Sequence, residues 1–120
     1  MTVRRRKTYT GETGCVYQYY FVGERPSLPQ AAQGPATEFV FDVTADDNTT
    51  FAVSVFLRND AVAVWTHRHG RDLTDAERYA AAKLRLLRGF DEIPNLLEHG
   101  RHLLVDAAAL DDILAGLGRD

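Results

Sequence analysis

Four histidines, in His67-Arg68-His69 and in Glu98-His99-Gly100-Arg101-His102, come nearest by type and spacing to a metal site or a reaction centre. Two converging pairs would offer imidazole nitrogen to zinc or another transition metal, and so a metal-dependent enzyme. The spacing opposes this at the first pair. On a helix, side chains two positions apart point about 200° from one another, so His67 and His69 cannot reach one ion together. A last helical turn, where the dipole favours a protonated imidazole, accounts for both. No cysteine or acidic residue completes a recognised ligand spacing, and no metal ligand is assigned.

Nucleophiles are as sparse. Ser27 and Ser54 are the only serines, and neither lies in a glycine-flanked elbow. Cys15 opens an aromatic segment, where a cysteine reads as a small buried hydrophobe rather than an activated thiolate. Asp46-Asp47 and Asp111-Asp112 read as turn chemistry and a solvated helix edge. Gly11, Gly14, Gly23 and Gly34 are too dispersed for a phosphate loop, so neither a catalytic residue nor a cofactor is assigned.

Contact with a macromolecule has more material. Residues 15–22, Cys-Val-Tyr-Gln-Tyr-Tyr-Phe-Val, leave neither side of a strand polar: Cys15, Tyr17, Tyr19 and Phe21 share one face, Val16, Gln18, Tyr20 and Val22 the other. Large apolar patches rarely stay bare, so something must cover both faces. One partner is nucleic acid, with Arg4, Arg5, Arg6 and Lys7 on phosphates and Tyr17, Tyr19, Tyr20 or Phe21 stacking bases. The predicted pI of 5.8 weighs against it, since dedicated nucleic-acid domains usually exceed about 9. The other partner is protein, through Val16, Gln18, Tyr20, Val22, Val40 and Phe56, in a homodimer whose sheets meet; tyrosine and phenylalanine suit such a surface because they bring much area with few rotors.

The elements that must position these groups follow from periodicity. Residues 3–10 and the aromatic segment flank Gly11-Glu12-Thr13-Gly14, a hairpin. Residues 23–37, with Pro26, Pro29, Pro35 and Gly34, read as a loop. A second hairpin turns at residues 45–49, with Phe39, Phe41, Val43, Phe51, Val53, Val55 and Leu57 on the core face. From residue 59 the period changes. A short helix with Ala61, Val62 and Trp65 on one stripe starts at Asp60 and stops at Gly70. Thr74 and Glu77 make a capping box for an amphipathic helix ending near Gly89, with Arg78, Arg85 and Arg88 on a basic exposed edge. Residues 101–106 suit a short strand, and Asp106 caps a last helix with Leu110, Ile113, Leu114 and Leu117 as its stripe, ended by Gly118.

Strands first and helices later predict a single α+β domain, residues 1–120: an antiparallel sheet of about four strands in two hairpins, with two or three helices packed on one face. A basic segment 1–7 opposes an acidic C-terminal region. The net charge is −3 over 120 residues. No apolar run reaches the roughly 20 residues that span a bilayer, and the charged start lacks the apolar core of a signal peptide. A cytoplasmic protein with no membrane partner is expected, and the single cysteine suits a reducing compartment. The expected function is non-enzymatic association, of the chain with itself or another protein.

Overall fold

A computed structural model of the chain describes residues 6–11, 14–27, 32, 34–45, 49–93 and 96–117, without the side chains of His99 and Leu117. Four strands come first: β1 (Lys7–Thr10), β2 (Val16–Pro26), β3 (Ala36–Ala45) and β4 (Thr49–Arg58). Helices α1 (Asn59–His69), α2 (Asp75–Glu92) and α3 (Leu96–His99) follow, then β5 (His102–Val105) and α4 (Ala107–Leu117). The described strands form one sheet in the order β1-β2-β3-β4-β5, antiparallel as far as β4, with β5 parallel to β4. The class is α+β as predicted, with five strands in place of four. The helices between β4 and β5 supply the crossover that a parallel pair requires.

One face of the sheet makes the core. Phe39, Phe41, Val43, Phe51, Val53, Val55 and Leu57 are all buried there, as the alternation requires. Tyr17 and Tyr19 join them from β2, Leu103 and Val105 from β5, and Cys15 and Phe21 pack at the margin. Helix α2 covers this face: Phe90 stacks on Tyr17 with centroids 4.2 Å apart, and Tyr79 meets Phe21 edge-on at 5.1 Å. Helices α1 and α4 add Ala61, Trp65, Leu110, Ile113 and Leu114.

The local start and stop signals operate mostly as read. Thr74 Oγ1 accepts the Glu77 N–H at 3.1 Å while a Glu77 carboxylate oxygen accepts the Thr74 N–H at 2.9 Å, the reciprocal capping box. The Asp106 carboxylate accepts the Ala109 N–H at 2.8 Å, and Gly70 closes α1 at φ 70°. Gly14 takes φ 89°, its N–H on the Gly11 carbonyl, in the first hairpin turn; residues 12, 13 and 46–48 of the two expected turns, and Gly118, lie outside the described residues.

Three expectations are corrected. Helix α1 follows β4 with no intervening loop, and Asp60 does not cap it: both its oxygens take the Arg58 guanidinium, at 3.1 and 2.7 Å. Helix α2 does not end at Gly89 but runs to Glu92. Gly89 serves close packing instead, since a Cβ there would stand 3.0 Å from Leu103 Cδ1 of β5.

The third correction concerns residues 23–37. Strand β2 continues to Pro26 and β3 begins at Ala36, because a bulge between Phe21 and Gly23 lets the ladder go on. Val22 is the extra residue, Gly23 pairs with Val40, and side-chain alternation is reset beyond it. Pro26 ends the strand, where a missing donor is tolerated, and the Ser27 N–H still reaches the Ala36 carbonyl at 2.9 Å. Pro29 lies outside the described residues. No described helix is long and apolar enough to cross a membrane.

Candidate functional site

The helices leave one face of the sheet open, and register fixes what it carries. From β1 to β5 these are Thr8 and Thr10; Val16, Gln18, Tyr20, Gly23 and Arg25; Glu38, Val40, Asp42 and Thr44; Thr50, Ala52, Ser54 and Phe56; His102 and Leu104. Polar side chains on this face bond across strands and form three rungs. Thr44 and Thr50 hydroxyls lie 2.8 Å apart. The Tyr20 hydroxyl donates to Asp42 Oδ2 at 2.7 Å. In the third rung Arg25 Nε donates to Glu38 Oε1 at 3.0 Å and the Ser54 hydroxyl to Glu38 Oε2 at 2.5 Å.

Glu38 is the anchor of the third rung: its side chain is 13% exposed, against 68% for Arg25. The Arg25 hydrogen bonds hold its carboxyl below the usual carboxylate range; burial opposes them, and the Ser54 hydroxyl and the field of His102 help. A half-buried carboxylate with its lone pairs occupied can be covered at little further cost, whereas a bare one could not.

Between the rungs lie apolar groups and a hollow of about 220 Å³ lined by Val22, Gly23, Glu24, Arg25 and Val40. Val22 is 37% exposed at the bulge. Apart from Gly23 itself and its chain neighbours Val22 and Glu24, no atom stands within 4 Å of where a Gly23 Cβ would be, so the hollow opens above the backbone itself. Among the described charged side chains of the face, Glu38 and Asp42 stand against Arg25 and Arg6, the last donating to Gln18 at 3.2 Å, while Arg58, opposite Ala36, is paired with Asp60.

Of the six interface residues expected from sequence, Val16, Gln18, Tyr20 and Val40 lie half-buried on this face and Val22 projects at its bulge. Phe56 is corrected. It faces the same way but is 3% exposed, because Ala32 and Ala36 pack over it and the His102 ring stacks on it with centroids 6.0 Å apart. The chain covers that corner itself.

The stacking platform for nucleic acid is reduced. Tyr17 and Tyr19 are each 4% exposed beneath α2, and Phe21 packs against Tyr79, so none presents a ring to a base. Tyr20 alone among them remains on the open face. Arg6 reaches that face, Lys7 pairs with Tyr19 on the opposite one, and Arg4 and Arg5 lie outside the described residues.

The remaining candidates are spread through the fold. His69 stacks on Trp65 at 4.2 Å and lies 3.3 Å from Asp111, His67 is exposed, and His102 is on the open face. No three His, Cys, Asp or Glu side chains among the described residues are grouped as a metal would need. Asp111 and Asp112 stand on a solvated edge as read, the Asp112 side chain 71% exposed, and they also pair there, Asp111 with Arg68 and His69 of α1 and Asp112 with Arg88 of α2 at 2.7 Å. The basic edge of α2 is partly used up likewise, with Arg85 Nε donating to the Leu104 carbonyl of edge strand β5 at 3.1 Å. Asp46 and Asp47 lie outside the described residues.

Periodicity missed the bulge, the hollow and the third rung, because pairing of Glu38 with Arg25 and Ser54 depends on register between three strands. A glycine following an aromatic strand run was the one signal for them. Compared with protein-family models, curated proteins and solved structures, the chain matches none.

Proposed function

We propose that this chain is an interaction protein that binds a second copy of itself through the open face of the sheet. The carrying observation is that the polar groups of that face are bonded to one another, in the Tyr20–Asp42 and Arg25–Glu38–Ser54 rungs, so covering it strands few of them. A second copy is favoured over a polyanion by charge: among the described residues Glu38 and Asp42 stand against Arg25 and Arg6, and Arg58 is held by Asp60, so these groups give no net positive field and meet their own kind without net repulsion. The hollow beside Val40 gives a two-fold contact a place to seat a protruding side chain.

Sedimentation velocity over a roughly hundredfold range of concentration tests the reading. The wild-type chain is expected to dimerise, and Tyr20→Asp, Val40→Asp and Gly23→Phe to remain monomeric with unchanged circular dichroism. Gly23→Phe is the sharpest of these, because the backbone there lacks the positive φ that would demand glycine and the new ring enters open space. A wild-type monomer throughout the range, or a dimer that all three variants preserve, would end the proposal.

A further inference from the structure

Between α2, α4 and β1 lies a cavity of about 460 Å³ that the open face of the sheet does not involve. Its walls follow from helix periodicity. Helix α2 turns Ala82, Leu86, Gly89 and Phe90 into the core, whereas Leu84, Leu87, Arg88 and Asp91 recur at i, i+3, i+4 and i+7 on a separate stripe that lines the cavity. Leu84 and Leu87 stay half-buried there. Helix α4 contributes the buried Ile113 and, one turn on, Gly116.

Neither backbone nor packing requires a glycine at 116. Its φ is not positive, and apart from its chain neighbours and its own helix backbone no described atom lies within 4 Å of where a Cβ would stand. Gly89 of α2 differs, since Leu103 Cδ1 of β5 would lie 3.0 Å from a Cβ there. Glycine weakens a helix relative to alanine. At 116 it keeps a side chain out of the space that Leu84, Leu87 and Ile113 wall.

The polar groups of the lining are few and paired. The Tyr9 hydroxyl donates to Asp91 Oδ2 at 2.6 Å in a part-buried setting, and the Tyr9 ring packs on Phe90 with centroids 5.7 Å apart. Arg88, the one basic residue of the lining, gives its guanidinium to Asp112 at 2.7 Å on the exposed rim. The lining therefore carries two carboxylates against one guanidinium, and Asp91 is the carboxylate that Arg88 does not match. An anionic ligand would meet that charge, whereas a cation would find a carboxylate and an aromatic ring together. A space of this volume, with apolar walls and a few placed polar groups, has the character of a small-molecule site.

We propose that this cleft binds small arylalkylamines as their ammonium ions, with the apolar body between Leu84, Leu87 and Ile113 and the charged head at Asp91 and Tyr9. The test compares probes of similar size that differ in the head group: phenethylamine, phenethyl alcohol and hydrocinnamate. Each is titrated near neutral pH into the full, isotope-labelled chain, and binding is followed by amide chemical shifts. The amine is expected to bind with a Kd on the order of 1 mM, as its few atoms allow, and at least about tenfold more tightly than the carboxylate, with the alcohol between them. Asp91→Asn, which keeps an acceptor for Tyr9, is expected to remove most of the amine's advantage over the alcohol. Gly116→Leu, which fills the space, is expected to abolish binding of all three with unchanged circular dichroism. Equal affinity for amine and carboxylate, no saturable amine binding below about 10 mM, or binding that survives Gly116→Leu would overturn the proposal. Shifts in the cleft that follow protein concentration and not the amine would overturn it in favour of a second copy seated there.

Discussion

The two faces of this sheet share the same two central pairings, β2 with β3 and β3 with β4, yet hold their residues by different means. On the covered face Phe39, Phe41, Val43, Val53 and Val55 are fully or almost fully buried, and Tyr9, Tyr17 and Tyr19 pack their rings against Phe90. Across the sheet, neighbours a single peptide away stay half-buried and spend their polarity on one another. The covered face is stabilised by area removed from water, the open one by cross-strand pairs worth a few tenths to about 1 kcal/mol each. A face of the second kind can be left in water or covered, and this is the property a reversible interface needs.

Adjacent residues on opposite faces give the widest contrast. Phe41 is fully buried between Phe21 and Tyr79, so Phe41→Ala is expected to cost about 3–5 kcal/mol in urea unfolding, as a ring lost from a close-packed core. Val40→Ala, one position away, is expected to cost under about 1 kcal/mol. Equal losses at the two positions would mean that the open face is a second core in the isolated chain.

Acid should separate the two sides next. On the helix side Glu77 is pushed down to about 2, by the Arg71 guanidinium first and the Thr74 N–H second. Its folded pKa is below the ordinary carboxyl value, so its contribution is present above about 4.5 and is lost as pH falls toward about 2. Arg71 is half exposed, which limits the effect to about 1 kcal/mol. Glu38 on the open face is lowered in the same direction, so its contribution also fades with acid. Unfolding measured across this range should lose part of its pH dependence in Glu77→Gln and a smaller part in Glu38→Gln; a wild-type curve flat from neutral pH to about pH 3 would contradict both.

How far each face was legible in the sequence follows from the same contrast. Covered positions were readable because alternation alone decides them, and Phe39 to Leu57 fell where the pattern put them. The end of β2 was not, because Pro26, Pro29 and Pro35 outweighed a single glycine whose bulge carries the strand four residues past Val22. Phe56 resembled its open-face neighbours until Ala32 and Ala36 closed over it, a contact that no local pattern encodes.

The smallest expected effect is the most discriminating. Tyr20→Phe removes the hydroxyl that donates to Asp42 and keeps the ring, so the isolated chain should lose only about 0.5–1 kcal/mol. The Asp42 carboxylate is then left on the open face without that donor. In the monomer water replaces the donor at little cost, but in a dimer the same carboxylate would be covered and short of a partner. Self-association should therefore weaken by more than the monomer's stability does, readable as a larger change in dimer dissociation constant than in the urea midpoint. A variant that loses stability but dimerises like the wild type would place Tyr20 and Asp42 outside the contact and shift the interface toward Val22 and the hollow.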